Sequence, residues 1–170
     1  LLVSGCDKEV KTNEAKEGGR IYLDGLFYQV QLSRQLNIKD VEDSFYLVQQ
    51  PQPASGDAYF GVFMRVDNEE EDGDEDGKRI TPIGTEHMKI VNAKGNEFEP
   101  LAVKGVGWGY EPAPLGNGAH LPIPDTPAGG GTIRGGLILF RMPLTDLDSR
   151  PLELEIESES GDVATIILDV

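Results

Sequence analysis

Leu152-Glu153-Leu154-Glu155-Ile156-Glu157 sets an apolar residue against an acidic one at every step. In an extended chain, successive side chains point to opposite faces. This hexapeptide therefore puts its aliphatic surface on one side and its charge on the other. A helix would scatter the same glutamates around its circumference. The pattern predicts a strand with one wet face, and so a sheet covered on its other face.

Working outward, the same period returns. In Leu26–Leu36, Tyr28, Val30 and Leu32 alternate with Gln29, Gln31 and Ser33. In Tyr59–Asp67, Phe60, Val62, Met64 and Val66 share a face, with Gly61 and Arg65 on the other. Met88 and Ile90 open a strand that ends at Asn92-Ala93-Lys94-Gly95-Asn96, a hairpin-turn composition, and Phe98 to Val103 continues beyond it. Ile133–Met142 is apolar on both faces, which predicts a central strand, and Val163–Val170 closes the chain. The short piece Asn37–Phe45 reads as one helical turn, and no segment holds a helical period over three turns. Strands joined by Gly, Pro, Asp and Asn turns, without interleaved helices, predict an all-β fold: an immunoglobulin-like antiparallel β-sandwich of about seven strands over residues 21–170.

Composition agrees. The 170 residues carry 21 glycines and 11 prolines, which suits a loop-rich β fold. The net charge of -15 repels phosphate backbones and anionic headgroups, so nucleic acid is excluded as a partner. No stretch is long and apolar enough to span a bilayer.

The single cysteine is informative by its position. Leu1-Leu2-Val3-Ser4-Gly5-Cys6 places two small residues before a cysteine and an apolar run before those. Residues 1–6 resemble the end of a bacterial lipoprotein signal peptide with its lipobox, in which the cysteine is acylated. That resemblance implies lipidation at Cys6, a lipid bilayer as partner, and an extracytoplasmic location on the outer face of the cell membrane. Residues 7–20 are charged and nearly free of large apolar side chains, as a flexible tether is, with a reach of roughly 45–50 Å when extended.

The order of features carries a second resemblance. Tyr28-Gln29-Val30, Val66-Asp67-Asn68 and Lys89-Ile90-Val91 come first, then the turn Lys94-Gly95-Asn96-Glu97-Phe98. Gly136-Leu137-Ile138-Leu139-Phe140-Arg141-Met142-Pro143, Leu152-Glu153-Leu154 and Ile166-Ile167-Leu168 complete the series. This series resembles the telokin-like, immunoglobulin-fold domains of bacterial lipoproteins of unknown function. The long loop after Val103 departs from that pattern. The resemblance implies fold and location and brings no catalytic residues with it.

Two segments are candidate sites. Glu69–Gly77 is acidic and holds Asp72, Asp74 and Asp76 at alternate positions before Gly77. Alternating carboxylates around a glycine can ligate Ca²⁺, with Glu86 as a closing ligand. The EF-hand pattern fails, because its twelfth position falls on Ile83. A solvated loop extended by like charges is the competing account.

The second segment is the Gly- and Pro-rich loop from Lys104 to Gly131, which holds Trp108, Tyr110 and His120. These can bind a protein partner or a small ligand, or fold back over one edge of the sandwich. His87-Met88 offers copper(I) donors, but adjacent strand residues face opposite ways. No nucleophile–base motif is visible, so the sequence favours a non-catalytic binding module over an enzyme.

The solvated-loop account predicts that Ca²⁺ and Mg²⁺, at equal ionic strength, leave the thermal midpoint of the protein unchanged. A Ca²⁺-specific rise, abolished by Asp74→Ala with Asp76→Ala, assigns the run to metal instead.

Overall fold

The computed structural model describes residues 11–69, 78–103 and 105–168. Within them the strands are β1 (Glu14–Lys16), β2 (Arg20–Leu23), β3 (Leu26–Leu36), β4 (Asp57–Asp67), β5 (Met88–Val91), β6 (Glu97–Phe98), β7 (His120–Leu121), β8 (Gly136–Pro143), β9 (Leu152–Glu157) and β10 (Val163–Leu168). Three short helices interrupt them: α1 (Val41–Tyr46), α2 (Pro127–Gly130) and α3 (Leu144–Leu147). One sheet runs β1-β10-β9-β5-β6. The other runs β2-β3-β4, with β8 and then β7 along the far edge of β4. Every pairing between these strands is antiparallel except β1 with β10. The fold is an all-β sandwich, as its alternating strands require.

The hexapeptide at Leu152 forms β9, and its alternation is used as written. Leu152, Leu154 and Ile156 are buried with Ala164, Ile166 and Leu168 of β10 and Met88 and Ile90 of β5. Opposite them lie Tyr28 and Val30 of β3, Phe60, Val62, Met64 and Val66 of β4, and Ile138, Phe140 and Met142 of β8.

The second sheet is apolar on its outer face too. Leu36, Tyr59, Phe63, Leu137 and Leu139 form a separate core with Tyr46 and Leu47. α1 and the segment around Val103 and Trp108 cover it. The molecule is therefore three layers: sheet, sheet, and a lid of helix and loop.

Several expectations need correction. The strand count is ten among the described residues, against about seven expected. Short strands such as Glu14–Lys16 and His120–Leu121 are too brief to show a period. Leu32 does not share a face with Tyr28 and Val30. Val30 pairs with Met64 and Leu32 with Phe63, so Gln31 is an extra residue, a bulge. A one-residue insertion reverses the faces beyond it. Leu32 thus joins the outer core while Ser33 is buried on the other side. The charged stretch 7–20 is not all tether: Glu14–Lys16 pairs with Thr165–Ile167, and Arg20 opens β2. The Ser33 amide and hydroxyl both donate to the Glu17 carboxylate, which satisfies the β3 edge beyond its last pairing with β2. Phe98–Val103 is strand only at its start, because Pro100 cannot donate to a ladder.

α1 is built by its caps. The Asp40 side chain accepts from the amides of Glu42 and Asp43, and the Leu47 amide closes the end on the Asp43 carbonyl. Asp43 then ties the helix to β3. Its carboxylate accepts from Arg34 Nη2 at 2.5 Å and from the Asn37 amide at 2.8 Å. Burial opposes the charged form of Asp43, but the Arg34 and Asn37 donors outweigh it and hold the carboxyl below its ordinary value. A depressed carboxyl contributes stability above its unfolded pKa, and that stability is lost as pH falls through the folded value. Asp43→Asn is expected to cost about 1–3 kcal/mol at pH 7. In urea titrations that difference from the parent should shrink below about pH 4.

Candidate functional site: a groove between the sheets

The chain changes sheet at Glu99-Pro100. Glu97 and Phe98 pair with β5, and three residues after Phe98 the Leu101 amide donates to the Leu139 carbonyl of the second sheet at 2.7 Å. Below this crossing the sheets part, leaving a groove of about 1000 Å³. Met88, Leu101, Val103, Tyr110, Leu137 and Ile138 give it apolar walls. Its polar groups are Glu86, Glu97, Glu99 and Glu111 with Lys89.

Each polar group has an identifiable condition. Lys89 Nζ lies 2.5 Å from Glu97 and 3.4 Å from Glu155, and these carboxylates hold its pKa above the usual value, Glu97 foremost. Its charge is thus already matched. Glu99 and Glu111 are exposed and have no salt bridge among the described residues, so the groove mouth is negative. Tyr110 is buried, and its hydroxyl donates to the Ile83 carbonyl at 2.8 Å. The Ile83 amide in turn donates to the Tyr28 hydroxyl at 3.0 Å. Burial raises the Tyr28 phenol to about 12 and pushes Tyr110 well above its ordinary value. Both phenols stay neutral at physiological pH and hold the backbone of Ile83 from its two sides, one at its amide and one at its carbonyl.

The long loop is ordered by the backbone rather than by strands of its own. Around Trp108 it runs beside β8: the Leu137 amide donates to the Trp108 carbonyl, and the Tyr110 amide to the Leu137 carbonyl. Farther on, Ile80 and Leu115 exchange both amide bonds, and Asn68 Nδ2 donates to the Leu115 carbonyl. Gly136 permits the close approach, since a Cβ there would sit 2.9 Å from Tyr110 Cα.

The residues singled out in the sequence do not converge. Trp108 is half-buried and packs edge-on to Tyr46, their rings 5.2 Å apart, so it belongs to the outer lid. Tyr110 belongs to the inner core and the groove. His120 pairs with Asp67 in β7, and its Nδ1 is buried without a hydrogen-bond partner among the described residues. Glu86 stands exposed at the groove edge, in a single 3₁₀ turn with His87. Asp72, Asp74, Asp76 and Cys6 lie outside the described residues. Among the described residues no His, Cys, Asp or Glu group is arranged to hold a metal ion. Sequence reasoning passed over Lys89, Glu99 and Glu111. Their meeting depends on the Glu99-Pro100 crossing, which leaves no periodic signal.

Comparison with known proteins places the fold. No family profile matches the chain, and no curated protein does. Three solved structures are similar. One is the yjhA protein of Bacillus subtilis, at 10% identity and a TM-score of 0.56, over 91% of this chain and 99% of that one. A second, from Bacillus subtilis strain 168, is described provisionally as a lipoprotein (ycdA), at 8% identity and a TM-score of 0.51. It matches 91% of this chain, which spans only 39% of that protein. The third is an uncharacterised β-sandwich protein of Clostridium difficile 630, at 11% identity and a TM-score of 0.50, over 95% and 97% of the two chains. At these identities the likeness is one of fold.

Tyr110→Phe keeps the groove wall but leaves the buried Ile83 carbonyl without its donor. The substitution should lower stability by about 1–3 kcal/mol in urea unfolding. A neutral result would remove the tyrosine clamp as a structural element.

Proposed function

We propose that the protein is a non-catalytic binding module of the bacterial cell envelope, held at the outer face of the membrane by acylated Cys6. Its telokin-like, immunoglobulin-fold sandwich presents the groove to a ligand. The groove carries this reading. It is large, it is walled by both sheets, and its ionisable groups are either committed to structural contacts or carboxylates at the mouth. What such walls offer a ligand is shape, apolar area and negative potential, which suits recognition. Supporting the location are the small residues before Cys6, the charged stretch that follows, and the fold likeness to a protein described provisionally as a lipoprotein.

Anchoring is tested in a bacterial host, with the chain behind a complete secretion signal and an alkyne-tagged fatty acid in the medium. The parent should incorporate label and sediment with membranes. Cys6→Ser should be unlabelled and released. Equal labelling of the two, or none of either, sinks the anchoring half of the proposal. Glu99→Gln with Glu111→Gln alters only the groove mouth, and should leave both labelling and thermal midpoint unchanged.

A further inference from the structure

α1 presents two opposed faces. Asp43, Tyr46 and Leu47 are buried against the second sheet. On the other side Val41, Phe45 and Val48 are 79%, 60% and 61% exposed. Positions i, i+4 and i+7 fall on one side of a helical path, so these side chains form a stripe that continues just past the helix cap. Single exposed apolar residues are ordinary on any protein surface, but an aligned triplet with a phenylalanine at its centre is not. The fold does not need it, because the sheet is covered by the opposite face of the helix.

The stripe has an acidic border. Asp40 and Glu42 are exposed beside it, and neither has a salt bridge among the described residues. A hollow of about 460 Å³ opens at this edge, walled by Asp40, Glu42, Asp43 and Arg34. Arg34 is already matched by Asp43, so the hollow is left negative. We propose that this face of α1 is a docking surface for a basic amphipathic segment of a partner protein. The segment's apolar side covers Val41, Phe45 and Val48, and a lysine or arginine beside it reaches the hollow. The triplet then acts as the central anchor of the interface, and the charges set partner choice and approach. A second copy of the chain is a poor occupant, since it would bring two bodies of charge -15 together.

Placement also favours a protein over a lipid surface. The first described residues lie at the start of β3: the Tyr22 amide donates to the Thr12 carbonyl, and the Tyr22 and Phe27 rings are 5.0 Å apart. α1 is fixed to Arg34 and Asn37 at the other end of that strand, about 30 Å away at the rise of an extended chain. With Cys6 anchored, the described chain therefore starts at the end of β3 away from α1. This last point rests on the anchoring proposed above, whereas the exposure and charge of the stripe do not.

The test uses the full chain carrying Cys6→Ser, so failure of acylation does not affect it. Three labelled helical peptides with the same leucine face are compared by fluorescence anisotropy: one with lysine, one with glutamine and one with glutamate as the polar residue. The lysine peptide should bind about tenfold or more tightly than the others. Val41→Ser with Phe45→Ser should weaken it by about tenfold or more at an unchanged thermal midpoint. Glu153→Gln with Glu157→Gln, which removes two negative charges from another face, should leave binding unchanged. Equal binding by the Val41/Phe45 variant overturns the proposal, as does equal loss in the Glu153/Glu157 variant. It is also overturned if phosphatidylcholine–phosphatidylglycerol vesicles, or self-association in sedimentation, depend on Phe45 while the lysine peptide does not.

Discussion

The structure depends on one constraint: β4 and β8 are apolar on both faces. Tyr59 and Phe63 point one way along β4 while Phe60, Val62 and Met64 point the other. Burying each such side chain is worth about 1.5–3 kcal/mol, and a whole domain is stable by only about 5–15 kcal/mol. Leaving the outer face wet would forfeit several of those contributions at once. Once that strand is written, something must lie over each side of it. The first sheet takes one side. The other falls to α1 and the long loop, which is why a glycine- and proline-rich segment is tied down by backbone bonds from Trp108 to Leu115. The groove arises where the same loop and the Glu99-Pro100 crossing meet the first sheet's edge.

Much of this was legible in advance, and the failures have physical causes. The alternation at Leu152–Glu157 reports its own environment because one face of β9 is wet, and period-two reading is reliable where the two faces differ in polarity. Ile133–Met142 was legible as two-sided for the complementary reason. The bulge at Gln31 was not, since nothing in Val30-Gln31-Leu32 marks the inserted residue and both assignments place a leucine against apolar neighbours. Glu14-Ala15-Lys16 reads as a solvated linker, because an edge strand gains most of its attachment through backbone bonds that side chains do not announce.

The candidate site was harder still. Val41, Phe45 and Val48 stand at helical spacing in a segment whose helical turn was foreseen at Asn37–Phe45. Sequence cannot say which face of so short a helix meets the sheet, and that is decided by Asp43 finding Arg34. Trp108 and Tyr110 are two residues apart yet belong to different cores, and Gly109 between them lies so close to the Val103 carbonyl that a Cβ would sit 2.8 Å from its oxygen. Lys89 and Glu97 are joined by the β5–β6 hairpin, but Glu111 comes from a distant segment, and it lines the same groove only because the chain crosses between the sheets.

The parallel pairing of β1 with β10 has a mechanical consequence. Tension applied to the chain ahead of Thr12 runs lengthwise along Glu14–Lys16, across the direction of its bonds to Thr165–Ile167. The Glu17 and Thr165 amides, bonded to Ile167 and Asn13, bracket this stretch. All of these bonds are loaded together in shear, rather than opened one after another as in a peeled hairpin. Three residues of unremarkable sequence thus act as a force-bearing clamp between the chain start and the sandwich. A pull from that end is passed to β10, and it would strip β2 from its sheet only after that clamp gives way.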